Sequence, residues 1–250
     1  ELTLMAGPDI ALITRIANSH AGFFSSLAEI AVAKTEIFDG LCGLRVAVIN
    51  RDDEFFDALS RRAKLAGATR IISFGTNSEA EFCLLASTPT PDGQVVKADC
   101  AGLALTFSLG MAAPHWALNA LGVLAVVEAL GLDVRLAAAT LKDFADLPGR
   151  GARHHGRFNS AQITLIDDSY NAGPASMDAA LNGLHAGPPD ILVLSDMLEL
   201  GTSTQTAHTA LAPAIATLAP RVVITLGPEM TQMASHLKID HPAISCLAAR

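Results

Sequence analysis

Short runs dense in Val, Ile and Leu, each leading towards a segment of helical spacing, constrain the fold of this chain more than any other feature. Residues 9–16 form an apolar run that ends in polar residues, and residues 44–50 and 69–74 repeat the pattern, the last closed by Gly75. Between them, Leu27, Ile30, Ala31, Ala33, Ile37 and Leu41 recur at roughly helical intervals. Residues 52–66 also read as a helix, with Arg61, Arg62 and Lys64 near its end, where cations suit the dipole. Strand and helix alternating at this spacing predicts a parallel sheet with helices on its faces. Pro89-Thr90-Pro91-Asp92-Gly93 predicts a turn between two extended segments, an antiparallel hairpin running to Phe107. Helices are expected over residues 116–130, stopped by Gly131, and over 136–144.

Leu147-Pro148-Gly149-Arg150-Gly151 is first stiff and then permissive, and sets the expected domain boundary, with domains at residues 1–147 and 148–250. Strand–helix alternation then restarts. Strands are expected over residues 163–166, 191–194 and 222–226, helices around 177–184 and 206–218, and a last apolar stretch covers 243–248. The expected fold class is therefore α/β, in two parts. No internal repeat, low-complexity tract or heptad pattern interrupts it.

Composition narrows the function classes. Half of the 250 residues are hydrophobic, enough for a sizeable core. A net charge of −8 argues against nucleic acid or another extended polyanion as partner, since phosphate binding needs a surplus of Lys and Arg. A single nucleotide in a local site stays compatible with it. Cys42, Cys83, Cys100 and Cys246 lack the short paired spacing of a zinc site and read as reduced thiols. The chain opens on no signal peptide and holds no apolar run of membrane-spanning length, so a cytoplasmic protein without membrane insertion is expected. A monomer is the expected state, although no sequence feature sets it.

Chemistry concentrates at the strand ends. Leu165-Ile166-Asp167-Asp168-Ser169-Tyr170-Asn171-Ala172-Gly173-Pro174-Ala175-Ser176-Met177 runs from a strand through two carboxylates and a small polar loop into a helix. Ligands of open parallel sheets bind just past such carboxyl ends. Capping alone accounts for the Asp, Ser and Pro residues, but does not require Tyr170-Asn171 between them. Ser195-Asp196-Met197-Leu198-Glu199-Leu200-Gly201, with His208 beyond, marks a second strand end. Its carboxylates would by themselves be a solvated face or a helix cap. His20 precedes a helix that holds Lys34, Asn119 follows Ala113-Pro114-His115-Trp116, and Asn50 opens Asn50-Arg51-Asp52-Asp53. Taken singly, these would be a loop histidine, a snorkelling lysine and, at Asn119, an asparagine satisfied by backbone. Arg150 alone would be an exposed linker residue. No phosphate-binding Gly-rich loop ending in Lys-Ser/Thr occurs in these residues, so half of an active site is expected.

In this order and over nearly the whole chain, these segments resemble the Mur ligase family, and within it the branch that adds D-alanyl-D-alanine to the peptidoglycan precursor. Gly173, Ser195, Ala113-Pro114 and Trp116 depart from its usual pattern. The resemblance implies the C-terminal part of a P-loop-type central ATPase domain followed by a Rossmann-like C-terminal domain, with ATP and Mg2+ as cofactors. It implies that His20 ligates magnesium and that a carbamylated Lys34 acts as an additional carboxylate near a metal. It also implies Asn119 at the adenine, Arg150 at the ATP phosphates, Asp168 at the ribose or phosphate region and Asn50 on the nucleotide side of the cleft. Ser169, Tyr170 and Asn171 would lie near the incoming dipeptide. The implied substrates are UDP-N-acetylmuramoyl-tripeptide and D-alanyl-D-alanine, joined through an acyl phosphate. Two other readings stay open: an amide ligase of the folylpolyglutamate or cyanophycin type, and a non-catalytic nucleotide-binding module. The 250 residues alone are expected to form no peptide bond, for want of the phosphate-binding loop.

Overall fold

The computed structural model describes residues 2–17, 24, 26–144, 147–184 and 187–249. The described residues fall into two compact units, one drawn from Glu1–Ile16, Leu27–Leu147 and Gly151–Arg153, the other from Ala17–Ser26, Pro148–Arg150 and His154–Arg250.

The first unit is organised by a six-stranded sheet: β1 (Ile10–Ile13), β2 (Val46–Asn50), β3 (Arg70–Gly75), β4 (Phe82–Thr90), β5 (Gly93–Cys100) and β6 (Leu103–Leu109), in that spatial order. β1 to β4 are parallel, with Ile10 opposite Val46, Val46 opposite Arg70 and Phe74 opposite Phe82. β4, β5 and β6 are antiparallel. The helices are α1 (Leu2–Ala6), α2 (Leu27–Thr35), α3 (Phe56–Leu65), α4 (His115–Ala129) and α5 (Val134–Thr140). Every residue of β2 is buried, as expected for a parallel strand covered on both faces. On one face Leu121 and Leu124 of α4 join Val46, Val48, Ile72, Phe74 and Phe82 in the core. Gly122 lets α4 sit close, because a Cβ there would stand 3.3 Å from both Leu12 and Phe74. On the other face α3 lies along β2 and buries Leu59 and Ala63.

The departures from expectation have local causes. The helix read over residues 52–66 begins only at Phe56, because Asp52 and Asp53 direct their carboxylates to backbone amides elsewhere. The expected hairpin is a three-stranded meander. Its second turn, Ala101-Gly102, has both residues at positive φ, a turn signature within Cys100-Ala101-Gly102-Leu103 that periodicity overlooks. The helix expected over residues 136–144 starts at Val134, since the Asp133 side chain accepts from Arg135 N and Leu136 N and fixes its N-terminus.

The second unit holds the hairpin β7 (Ala152–Phe158) and β8 (Ala161–Asp167), then α6 (Pro174–Gly183), β9 (Ile191–Ser195), α7 (Thr204–Thr209), α8 (Ala212–Leu218), β10 (Val222–Leu226), α9 (Pro228–Asp240) and β11 (Ser245–Ala248). β9, β10 and β11 form a parallel sheet in the order β11-β10-β9. Leu192, Leu194 and Val223 pack beneath Leu181, Ile215, Met230, Met233 and Leu237 from three helices. Three elements escaped the sequence reading: α1, the polar strand β7, and α9, whose apolar residues are interleaved with charge. The single helix expected over residues 206–218 is two, the second with Pro213 in its first turn.

The thiols divide by environment. Burial pushes the Cys100 thiol up to about 11, with Asp99 adding to it, and burial raises Cys83 as well. Cys42 is exposed. A neutral-pH alkylating reagent is therefore expected to modify Cys42 in the folded chain, and Cys83 and Cys100 only on unfolding; mass spectrometry of a labelling time course reads this.

Candidate functional site

In the first unit, residues 50–53 lie at the carboxyl end of β2 and reach to both neighbouring strand ends. Asn50 is buried; its Nδ2 donates to Thr14 O at 2.9 Å and its Oδ1 accepts from Asp52 N at 2.9 Å. Asp53 Oδ2 accepts from Ile16 N at 2.6 Å, and its Oδ1 from Phe55 N at 2.9 Å. Asp52 accepts from Thr76 N at 2.7 Å, Thr76 Oγ1 at 3.0 Å and Asn77 N at 2.9 Å. Arg51 pairs with Glu79 and rests 4.3 Å over the Phe56 ring. Both ends of the Asn50 carboxamide are thus engaged within the protein.

Lys34 stands exposed in the last turn of α2. Its expected companion, His20, lies outside the described residues. Asn119 is half-buried on α4, one turn beyond its N-terminus. His115 and Trp116 begin that helix with ring centroids 4.9 Å apart. The segment ahead of it is held by a residue that residue type and spacing offer no reason to single out. Gln94 on β5 is 2% exposed, and its Nε2 donates to Met111 O at 2.8 Å and Ala113 O at 3.0 Å, while Ser87 Oγ donates to its Oε1. A lone glutamine within a strand of valines carries no visible signal of such a clamp.

In the second unit, the Pro148–Arg150 segment is tied to the end of β8. Gly149 N donates to Asp167 Oδ2 at 3.2 Å, and Tyr170 N donates to Gly149 O at 2.9 Å. The Arg150 guanidinium lies 4.0 Å over the Tyr170 ring. Gly149 has φ +72°, and a Cβ there would stand 3.0 Å from Tyr170 N, so both conformation and space require glycine. Arg150 is therefore stacked within the strand-end loop and is no free linker residue.

Of the two adjacent carboxylates, Asp167 organises the loop. Ser169 Oγ donates to Asp167 Oδ1 at 2.6 Å and Ser169 N donates to the same oxygen at 3.2 Å. The Ser169 hydroxyl, then its amide, hold the Asp167 carboxyl below its usual range against a desolvation penalty, and the Gly149 amide and His154 add smaller contributions in the same direction. Asp168 and Tyr170 are exposed, and Asn171 Oδ1 accepts from Ala172 N at 3.0 Å. The sequence shows two aspartates but not which of them turns to the backbone. Because the folded-state pKa of Asp167 is depressed, its contribution is present above the ordinary value of about 3.9 and is lost as pH falls through the lower folded value. The Gly149 and Ser169 amide signals are thus expected to stay native-like at pH 5 and to shift only below about pH 4, as an NMR titration reads; a midpoint above the ordinary value would refute this tether.

At the end of β9, which belongs to a different sheet from β8, Asp196 Oδ1 accepts from Met230 N at 2.7 Å and caps α9. His208 is 1% exposed; Met197 N donates to its Nε2 at 2.9 Å, so its Nδ1 carries the proton shared with Thr204 O at 2.7 Å. Both ring nitrogens are occupied, and His208 has none left for a ligand or a proton relay.

The second unit suits a nucleotide phosphate in one respect. Stacking on Tyr170 uses a face of the Arg150 guanidinium and leaves its in-plane N–H donors for anionic oxygens. Magnesium finds less. No group of three His, Cys, Asp or Glu side chains comes together among the described residues, and Lys34 is the one expected metal-side residue within them. The described residues alone do not compose a metal site.

Comparison with known proteins bears on this arrangement. Residues 1–127 match the model of the Mur ligase middle domain, and residues 152–249 that of the Mur ligase glutamate ligase domain. Over 217 residues the chain is 34% identical to the UDP-N-acetylmuramoyl-tripeptide–D-alanyl-D-alanine ligase of Rickettsia prowazekii (strain Madrid E), covering 86% of this chain and 47% of that protein. Among solved structures, MurF from Acinetobacter baumannii superposes with a TM-score of 0.83 at 24% identity, over 99% of this chain and 52% of that one. MurF ligase from Thermotoga maritima, solved in complex with ADP, gives 0.74 at 21% identity, over 99% and 60%. The chain spans about half the length of the curated relatives it matches.

Proposed function

Because this chain belongs to the Mur ligase family, we propose that it is the central and C-terminal part of an ATP-dependent ligase that joins D-alanyl-D-alanine to UDP-N-acetylmuramoyl-tripeptide. The observation that carries this reading is the loop after β8, where Asp167 and Tyr170 lock onto Gly149 and Arg150 and Ser169 holds Asp167. In this reading the domains meet between residues 147 and 148. ATP phosphorylates the terminal carboxylate of the tripeptide, and the dipeptide amine displaces phosphate from the acyl phosphate. Magnesium, when bound, would neutralise repulsion between the two anionic reactants. This chain's own residues bind and orient. Arg150 directs its N–H donors at phosphate oxygens, Asp168 contacts the ribose or phosphate region, and Asn119 offers its carboxamide to the adenine. Tyr170 and Asn171 face the incoming dipeptide, and Ser169 serves by holding Asp167. His20 and Lys34 belong to the metal side.

The test is phosphate release by the longer ligase containing this chain, given ATP, UDP-N-acetylmuramoyl-tripeptide and one amine acceptor at a time. Release with D-alanyl-D-alanine and none with glutamate or L-alanine is expected. Preference for glutamate would move the enzyme to another branch. Turnover by the 250 residues alone, above that of a Lys34→Ala variant, would refute the dependence on a separate phosphate-binding loop.

A further inference from the structure

Residues 50–53 include Asn50, which the resemblance places on the nucleotide side, yet every side chain in the run is engaged by the protein itself. Asn50 and Asp53 hold Thr14 O and Ile16 N, at the exit of β1. Asp52 holds Thr76 and Asn77, at the exit of β3. Arg51 adds a pair to Glu79 further along the β3–β4 connection. Four consecutive residues on the middle of three parallel strands thus set both flanking exits at the carboxyl edge of the sheet, the edge where open α/β folds bind ligands.

We propose that residues 50–53 are a positioning hub for the strand-end loops of the first unit, and that Asn50 acts by fixing the β1 exit and not by touching the nucleotide. The hydrogen bonds argue for it. Asn50 itself is only 7% exposed, and turning it towards a ligand would cost Thr14 O and Asp52 N these partners. Asp53 is the sharper instrument, because its two oxygens serve two different amides. Asp53→Asn keeps one acceptor oxygen and must surrender either Ile16 N or Phe55 N. This inference rests on the ligase reading only for its kinetic consequence.

Amide hydrogen exchange read by NMR tests the hub separately from catalysis, with the amides of β2 as internal reference for folding. In Asp53→Asn, exchange at Ile16 or Phe55 is expected to accelerate at least about tenfold while Thr76 and Asn77 keep their protection. In Asp52→Asn the pattern should reverse, with Thr76 or Asn77 released and Ile16 protected. Unchanged exchange at all four amides would overturn the hub. In the longer ligase, Asn50→Ala is expected to lower kcat with KM for ATP within about twofold of the parent, the signature of lost positioning without lost contact. A rise in KM for ATP at unchanged kcat would instead make Asn50 a nucleotide contact and overturn its assignment here. If the parent enzyme forms no amide bond at all, the ligase reading fails while the exchange result still judges the hub.

Discussion

Replacing His208 with leucine is expected to destabilise the second unit by about 1–3 kcal/mol, since it strands the buried Met197 amide and removes the bond to Thr204 O. The imidazole is 1% exposed, accepts from Met197 N and reaches Thr204 O. It therefore pins the turn after β9 to the first residues of α7. Leucine fills a similar volume but offers neither acceptor nor donor, so the hydrophobic gain cannot offset the unpaired Met197 amide. His208→Gln, which carries both an acceptor and a donor, should recover part of the loss. Urea unfolding monitored within the second unit measures both variants. A loss below about 1 kcal/mol for the leucine variant would mean that water replaces the ring. A structural histidine also predicts that the folded fraction of the variant ligase keeps its kcat, whereas a chemical role would lower kcat even where folding is intact.

His208 also shows how far the sequence could be read. Seven residues after Gly201, it looked like part of a functional block, because residue type and spacing show nothing of burial. The βα pattern was legible for a physical reason. Parallel strands covered on both faces, such as β2, must be almost wholly apolar, and α4 must keep small residues where it meets β3. The same logic fails for β7, a polar strand exposed over most of its length, which no burial pattern could announce. At the site, chemistry was legible at the level of the segment and not of the atom. Asp167 and Asp168 are adjacent in sequence, and only the paths of residues 148–150 and of the β8 exit decide that the first carboxylate meets Gly149 N and Ser169. Asn50 was legible as a strand-end residue, but its partner, Thr14 O, lies 36 residues away in sequence and belongs to another strand exit. Pairings of that kind come from the register of the sheet, which a single sequence does not contain.

Under the proposed function, Arg150 carries the largest expected catalytic effect in this chain. In the longer ligase, Arg150→Lys should lower kcat by about 100- to 1000-fold, the range found when one preorganised donor to developing charge is removed. Lysine keeps the positive charge but loses both the planar face that stacks on Tyr170 and the fixed pair of in-plane donors, so charge alone should not rescue it. Tyr170→Leu separates these two losses. It leaves the guanidinium in place and removes only the ring beneath it. A cation–π contact at an exposed ring contributes roughly 0.5–1 kcal/mol, and Tyr170 is 68% exposed. The leucine variant should therefore cost only about two- to fivefold in kcat, while Tyr170→Phe, which keeps the ring, should be close to the parent. The ranking of the three variants is the decisive result. If Arg150→Lys and Tyr170→Leu fall together within twofold, the guanidinium acts only by bracing the loop against Tyr170, and the phosphate contact must come from another residue.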